Sequence, residues 1–310
     1  MDILSIGEAL IDFKQTEHLA FQGFEGGSPM NVAIAAARLG PSVGFAGQAS
    51  SDMFGEALRT YLQKKRVDTQ FFLEHPAPST LAFVAEIDGD AHFSFMNNGA
   101  ADTLYNPQPR PQFPDSLKFM MFGSISLLTE PTASSIIDIV ALHQERCAIV
   151  LDPNVRPALI PDKAEYENKL KKWLSLAHIV KVNTQDLDWL HPEKTGAQVA
   201  ESWLEYGAQA LIITNGGEGV TLYRKAHEPL AVTAPKITVV DTVGAGDTFT
   251  GSMMVALFER QAFTDFSRLE SQTWQEVLSY AAHAAAYNCT RAGANPPNKE
   301  ELQSFIKEQG

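Results

Sequence analysis

Asp241-Thr242-Val243-Gly244-Ala245-Gly246-Asp247-Thr248-Phe249-Thr250-Gly251 is the stretch on which the reading of this chain turns. Upstream lies Ile237-Thr238-Val239-Val240, a β-branched run that reads as a buried strand. Downstream, Thr248 to Phe258 has helical character. Gly244, Ala245 and Gly246 are therefore expected at a strand-to-helix turn. Small residues let the backbone approach a ligand closely, and a helix start carries unpaired N–H groups aimed outward. Those groups, with the helix dipole, favour an anion and above all a phosphate. Asp247 adds a carboxylate to the same turn. Beside an anion site a carboxylate opposes binding, but it has a use where a hydroxyl must lose its proton to attack a phosphate. A helix cap and a plain glycine turn would leave the same residues. The spacing is neither a Walker A loop, since no Gly-Lys-Ser/Thr follows, nor a Gly-x-Gly-x-x-Gly dinucleotide turn.

The chain has 310 residues, enough for two average domains or one large α/β domain. A hydrophobic content of 45% is ample for a core. The net charge of -13 argues against nucleic-acid and anionic-membrane partners, which call for a basic face. A local, amide-lined phosphate pocket stays compatible with it. Cys147 and Cys289 lie in apolar or helical stretches without metal-ligand spacing. Reduced, buried thiols and a cytoplasmic setting are expected. No basic segment precedes an apolar one at the N-terminus, so no signal peptide is expected. No apolar run approaches the ~18 residues that span a bilayer.

Strand and helix patterns alternate from residue 117 onward. Strands are predicted at Phe119 to Gly123, Ala148 to Leu151, Ile179 to Val182 and Leu211 to Thr214. Helices are predicted at about Pro131 to Glu145, Lys163 to Ala177 and Val199 to Tyr206. This βαβ rhythm predicts a mostly parallel sheet with helices on both faces and ligands at the carboxyl ends of its strands. Asp12, Asn154, Asn183, Thr214 and Asp247 all fall just after predicted strands. Thr80 to Phe95 alternates around Asp88-Gly89, a hairpin signal. With the region from Phe13 to Phe24 it could build a small separate sheet, or it could be an edge hairpin of the main one. No repeat or low-complexity linker is present; the Pro-rich stretch from Asn106 to Pro114 comes nearest.

Asp-Thr-Val-Gly-Ala-Gly-Asp-Thr-Phe resembles the C-terminal signature of the ribokinase-like (PfkB) carbohydrate kinases, and within them most resembles the fructokinase branch. That resemblance implies a three-layer α/β sandwich in a single domain over 1-310, with a lid from about 13-24 and 78-97. It implies an anion hole from Gly244, Ala245 and Gly246, and Asp247 as catalytic base. Gly7-Glu-Ala-Leu-Ile-Asp12 is similar to the family's Gly-Glu-x-x-x-Asp pattern, whose Asp holds sugar hydroxyls. An ionised carboxylate can accept from two neighbouring hydroxyls. Gly26-Gly27-Ser-Pro-Met-Asn31 opens a predicted helix through Leu39 and resembles the family's Gly-Gly-x-x-x-Asn signature, which also contacts the sugar. Asp152-Pro-Asn154-Val-Arg156-Pro resembles a segment that family members use near phosphates and metal. There Arg156 would neutralise the transferring phosphoryl group or make a structural ion pair.

Asn183-Thr-Gln-Asp186 stands where the family has Asn-x-x-Glu, which organises magnesium-bound water around ATP; here Asp replaces Glu. Thr214-Asn-Gly216-Gly-Glu-Gly219 resembles the nucleotide loop, though a tight turn would read alike. Ala281 to Asn288 is a small-residue helix that the resemblance sets against adenine and that helix packing would equally explain. Asp241, Val243, Arg291 and Gly293 correspond to a potassium site built mostly from carbonyls. One departure stands out. Met96-Asn97-Asn98-Gly99-Ala-Ala-Asp102 lacks the Tyr-Arg usual before Ala-Ala-Asp. The missing Arg weakens a 2-keto-3-deoxygluconate reading. The reading is thus a kinase using MgATP, with K+ as a further ion, to phosphorylate a small sugar, foremost D-fructose. A homodimer through the lid goes with it. Ribokinase-type substrates remain an alternative, as does a non-catalytic sugar or nucleotide sensor. A nicotinamide oxidoreductase lacks its glycine turn.

Overall fold

A computed structural model describes residues 1–87 and 90–309. In chain order it contains β1 (Ile3–Ile6), β2 (Leu10–Glu17), β3 (Ala20–Gly26), α1 (Ser28–Arg38), β4 (Val43–Ser50), α2 (Met53–Lys64) and β5 (Asp68–His75). Then come β6 (Leu81–Ile87), β7 (Asp90–Met96), β8 (Phe119–Gly123), α3 (Thr132–His143), β9 (Ala148–Asp152) and α4 (Lys163–Leu176). β10 (Ile179–Asn183), α5 (Thr184–Leu190), α6 (Gly196–Leu204), β11 (Ala210–Thr214), β12 (Val220–Tyr223) and β13 (Leu230–Val232) follow. Three helices end the chain, α7 (Ala245–Glu259), α8 (Ser271–Cys289) and α9 (Lys299–Gln309).

Among the described residues the main sheet has nine strands in the order β13-β12-β11-β10-β9-β8-β1-β4-β5. It is parallel from β5 to β11, and β12 and β13 add antiparallel at one edge. Its central strands read as continuous apolar runs because both faces are covered. Alternate side chains divide between two cores. Phe119, Met121, Val150, Ile179 and Ile212 face a layer that holds α1, α7 and α8 residues. Met120, Phe122, Leu151, Val180 and Ile213 face one that holds α3, α4 and α6 residues. The three-layer expectation is met. The predicted strands and helices from residue 117 to 214 are present, with ends shifted by a few residues.

A second sheet of four strands, β3-β2-β6-β7, stands apart from the first. The hairpin therefore does not lie on the edge of the main sheet. Its turn residues, Asp88 and Gly89, lie outside the described residues.

Ile237-Thr238-Val239-Val240 is not a strand. The last ladder ends at Val232, and the segment runs extended beside the C-terminus of α8, where the Val240 N–H donates to the Cys289 carbonyl at 2.8 Å. Val239 and Val240 are exposed, while Ile237 packs on Ala286, Tyr287 and Phe305. A β-branched run extends equally well along a helix end as in a ladder, and the local pattern does not separate the two. Asp247 thus follows an extended loop rather than a strand, and Asp12 lies within β2 rather than after a strand.

Candidate active site

Two helices in the same layer begin at one place. α1 and α7 pack so closely that a Cβ on Gly251 would stand 2.8 Å from the Val32 carbonyl oxygen of α1. Ser28 opens α1, and Asp247 lies in the first turn of α7. The two N-termini therefore share a patch rich in unpaired N–H groups and positive dipole. Gly244 caps α7 in a left-handed conformation at φ 74, and a Cβ there would meet that of Ala294 at 2.6 Å. A residue with a side chain would be strained and obstructed at that position.

Asp247 is buried and gripped from α1. The Ser28 hydroxyl donates to its Oδ1 at 2.7 Å and the Asn31 amide to its Oδ2 at 2.9 Å. Burial pushes its carboxyl pKa up, and the two donors oppose that shift. Asp12 is raised to about 6, chiefly by burial; the Arg156 charge pulls it down and the Asp247 charge pushes it up. Asp12, Asn31, Arg156 and Asp247 thus act within one electrostatic neighbourhood. The Asp12 carboxylate lies across Gly26, where a Cβ would stand 2.1 Å from its Oδ2. A Cβ on Gly27, which has φ 110, would stand 2.7 Å from the Glu8 carbonyl oxygen.

Beneath Gly246 sits a charge that sequence reading missed. The Lys181 ammonium would lie 2.9 Å from a Cβ on Gly246, and it pairs with Asp152 at 2.9 Å. Both side chains are buried, 3% and 0% exposed. Burial would lower the Lys181 pKa, but the charge and hydrogen bond of Asp152 more than offset this and raise it. The signal was a charged residue inside the apolar run Ile179 to Val182. The Thr250 hydroxyl lies 3.3 Å from Asp152 Oδ2 and 3.1 Å from the Gly246 carbonyl and can donate to one or the other, tying α7 to this floor.

Asn183 caps α5, its Oδ1 accepting from the Asp186 N–H at 2.7 Å. Asp186 is buried and raised to about 6, first by burial and then by Asp152; Lys181 and Arg156 oppose this. Asp152 Oδ1 and Asp186 Oδ2 are both buried without a partner. Such orphaned acceptors suit a hydrated magnesium ion, which takes one or two carboxylates and fills its shell with water and phosphate oxygens. No group of three or more acidic, His or Cys side chains poised for a metal occurs among the described residues.

Thr214 ends β11, and the loop after it is a tight turn closed by the Asn215 N–H on the Gly219 carbonyl at 2.8 Å. Nothing lies within 4 Å of a Cβ on Gly216, while one on Gly219 would meet the Val232 carbonyl at 2.1 Å. Asn288 is a clamp and not a surface contact. It is fully buried, donates to the Val243 carbonyl at 2.8 Å and accepts from the Asn295 N–H at 2.8 Å. The Asp241 carboxylate accepts from the N–H groups of Val243 at 3.0 Å and Gly293 at 3.1 Å. Burial alone would raise its pKa, but these donors and Lys14 hold it below the usual range. Arg291 turns its guanidinium to the Tyr287 ring at 4.3 Å and to Glu301 at 3.4 Å. Only its carbonyl is left for a cation.

The chain is similar to known proteins over nearly its whole length. Residues 1–301 match the family described as pfkB family carbohydrate kinase. A fructokinase of Rhizobium leguminosarum bv. trifolii is 35% identical over 259 residues, 82% of this chain and 79% of that protein. A probable fructokinase-3 of Arabidopsis thaliana is 34% identical over 99% of this chain and 92% of its own length. The crystal structure of a fructokinase with bound ATP from Xylella fastidiosa superposes with a TM-score of 0.91 at 31% identity, covering 99% and 98% of the two chains.

Proposed function

The chain belongs to the pfkB family of carbohydrate kinases, and from that premise we propose that it transfers the γ-phosphoryl group of MgATP to the terminal alcohol of D-fructose. The observation that carries this reading is the convergence of the α1 and α7 N-termini on Asp247, within the field of Asp12 and Arg156. In this reading Asp12 and Asn31 hold sugar hydroxyls against the floor of Gly26 and Gly27. The attacking hydroxyl then lies beside Asp247, which takes its proton. A carboxylate with a raised pKa is a better matched base than an ordinary surface one.

The N–H groups of Gly244, Ala245 and Gly246 receive the phosphoryl oxygens as charge moves onto them. One such preorganised donor is worth ~3 kcal/mol in other enzymes. Lys181 supplies a fixed positive charge below the same turn, and Arg156 reaches from the sugar side. Thr214, Gly216 and Gly219 border the nucleotide. Asp152 and Asp186 would hold magnesium through water, and the ion would neutralise charge on the phosphates. A potassium ion would sit among the carbonyls of the 241–243 and 291–293 loops and brace the anion hole.

The small sheet acts as a lid over the sugar, where water would otherwise compete for the phosphoryl group. Two copies would dimerise through this sheet, whose outer strands β3 and β7 leave Phe24 and Met96 exposed. The free, buried cysteines Cys147 and Cys289 suit a reducing cytoplasm. No helix among the described residues is long and apolar enough to cross a membrane. The deciding experiment offers fructose, ribose and 2-keto-3-deoxygluconate with MgATP, with and without potassium, and measures ADP. Fructose should give the highest kcat/KM. Preference for another sugar, or no turnover with any, would overturn the assignment.

A further inference from the structure

The Asp247 carboxylate has two donors, and they are not equivalent. Asn31 is shared with the sugar in the proposed function, so its amide serves two partners. Ser28 has no such second task. It is buried, donates to Asp247 Oδ1 at 2.7 Å and accepts from the Asn154 amide at 2.8 Å. A hydroxyl has one proton and can direct it to one acceptor. An ionised Asp247 can only accept, so the Ser28 proton points at it. Asn154 must then present its NH2 and not its carbonyl oxygen. The chain Asn154 to Ser28 to Asp247 therefore runs in one direction, and the serine rotor is locked at both ends.

Asn154 itself is held in an unusual backbone state. Its φ is 43, in the left-handed region, two residues beyond the end of β9. Asn is among the few residues with a Cβ that tolerate this region. Strained backbone kept at a residue whose side chain reaches into a site motivates a functional reading. Other charged groups also face Asp247. Asp152 acts on it from the end of β9, Lys181 from the middle of β10, and Asp12 from β2. None of these three bonds to Asp247, so they bias its charge without aiming it. We propose that Ser28, locked by Asn154, is a positioning residue that aims the Asp247 carboxylate at the acceptor hydroxyl. This rests on Asp247 being the base in the proposed reaction.

The test compares Ser28→Ala and Asn154→Gly, each alone and in an Asp247→Asn background. Glycine suits the left-handed φ at 154, so that variant removes the amide while sparing the backbone. Ser28→Ala should lower kcat by roughly ten- to a hundredfold, the range for one charge-assisted hydrogen bond, with little change in fructose KM. The acid limb of kcat/KM should move to higher pH, since the ionised carboxylate has lost a donor. Asn154→Gly should move both in the same direction by less. Neither should slow Asp247→Asn further, because the group they aim is gone. Equal slowing in both backgrounds, an unchanged kcat or an unmoved acid limb overturns the inference. If Ser28→Ala does not fold, Asn154→Gly decides by the same readouts. A wild-type protein that phosphorylates no sugar overturns the proposed function and this inference with it. An active wild type whose variants show no coupling to Asp247 overturns this inference alone.

Discussion

Replacing Gly246 by alanine probes the floor of the anion hole with a single methyl group. The added Cβ would stand 2.9 Å from the Lys181 ammonium and 4.0 Å from its Cε. An ordinary contact needs several tenths of an ångström more. Lys181 is pinned to Asp152 at 2.9 Å in a buried pair and has no open space to retreat into. Pulling the ammonium off its partner would approach the cost of breaking a buried ion pair, ~3–5 kcal/mol. Lifting the first turn of α7 is the cheaper response, since overpacking by one methyl costs ~1–3 kcal/mol.

Alanine also gains ~1 kcal/mol of helix propensity over glycine. The net loss of stability is then ~0–2 kcal/mol, a fall of a few degrees in thermal midpoint. Activity should suffer far more, because the lifted turn carries the amides of 244 to 246. Full loss of one such donor costs ~10²–10³ in kcat, and a partial displacement should cost at least ~10-fold. Coupled measurement of ADP release with fructose, beside a thermal melt, reads both quantities. A Gly246→Ala protein with wild-type kcat and melting point would refute the placement of Lys181 beneath the hole and the role given to the turn.

Two further outcomes are expected. Asp12 and Asp186 are raised to about 6, Asp102 also to about 6 and Glu8 to about 7, chiefly by burial. A carboxyl raised on folding binds its proton more tightly in the native state. Its destabilising effect is complete above the folded pKa and is relieved as pH falls toward the unfolded value. Between pH 7 and 5 the melting temperature should therefore hold or rise while kcat/KM falls; a parallel fall of both would contradict the assignment. Asp186→Asn should weaken the magnesium requirement curve by about tenfold, as loss of a water-holding carboxylate does. Because Asp186 Oδ2 is buried without a partner, the same variant should melt no lower than wild type. A normal magnesium dependence would remove Asp186 from the metal's surroundings.

Much of this architecture was legible in the sequence. The central strands could be read because burial on both faces leaves an unbroken apolar run. The α7 start could be read because glycines and an aspartate at a helix entry constrain the backbone whatever surrounds it. Ile237 to Val240 was misread as a strand, because extended β-branched residues look alike in a ladder and against a helix end. The role of Ser28 and the presence of Lys181 were missed for a different reason. Ser28 meets Asp247 across 219 positions and Lys181 meets Asp152 across 29, and no local periodicity records such pairings. The buried amide of Asn288 joins two loops, a role visible only once both loops are in place.

Asp247→Asn tests the central claim most directly, with fructose and ATP affinity measured by calorimetry beside single-turnover phosphoryl transfer. The amide keeps the shape of the side chain and removes its basicity. The rate should fall by at least the ~10²–10⁴ attributed to a positioned base, while both affinities stay close to wild type. Transfer at nearly the wild-type rate would contradict the account, because the group gripped by Ser28 and Asn31 would then not be the one that takes the proton.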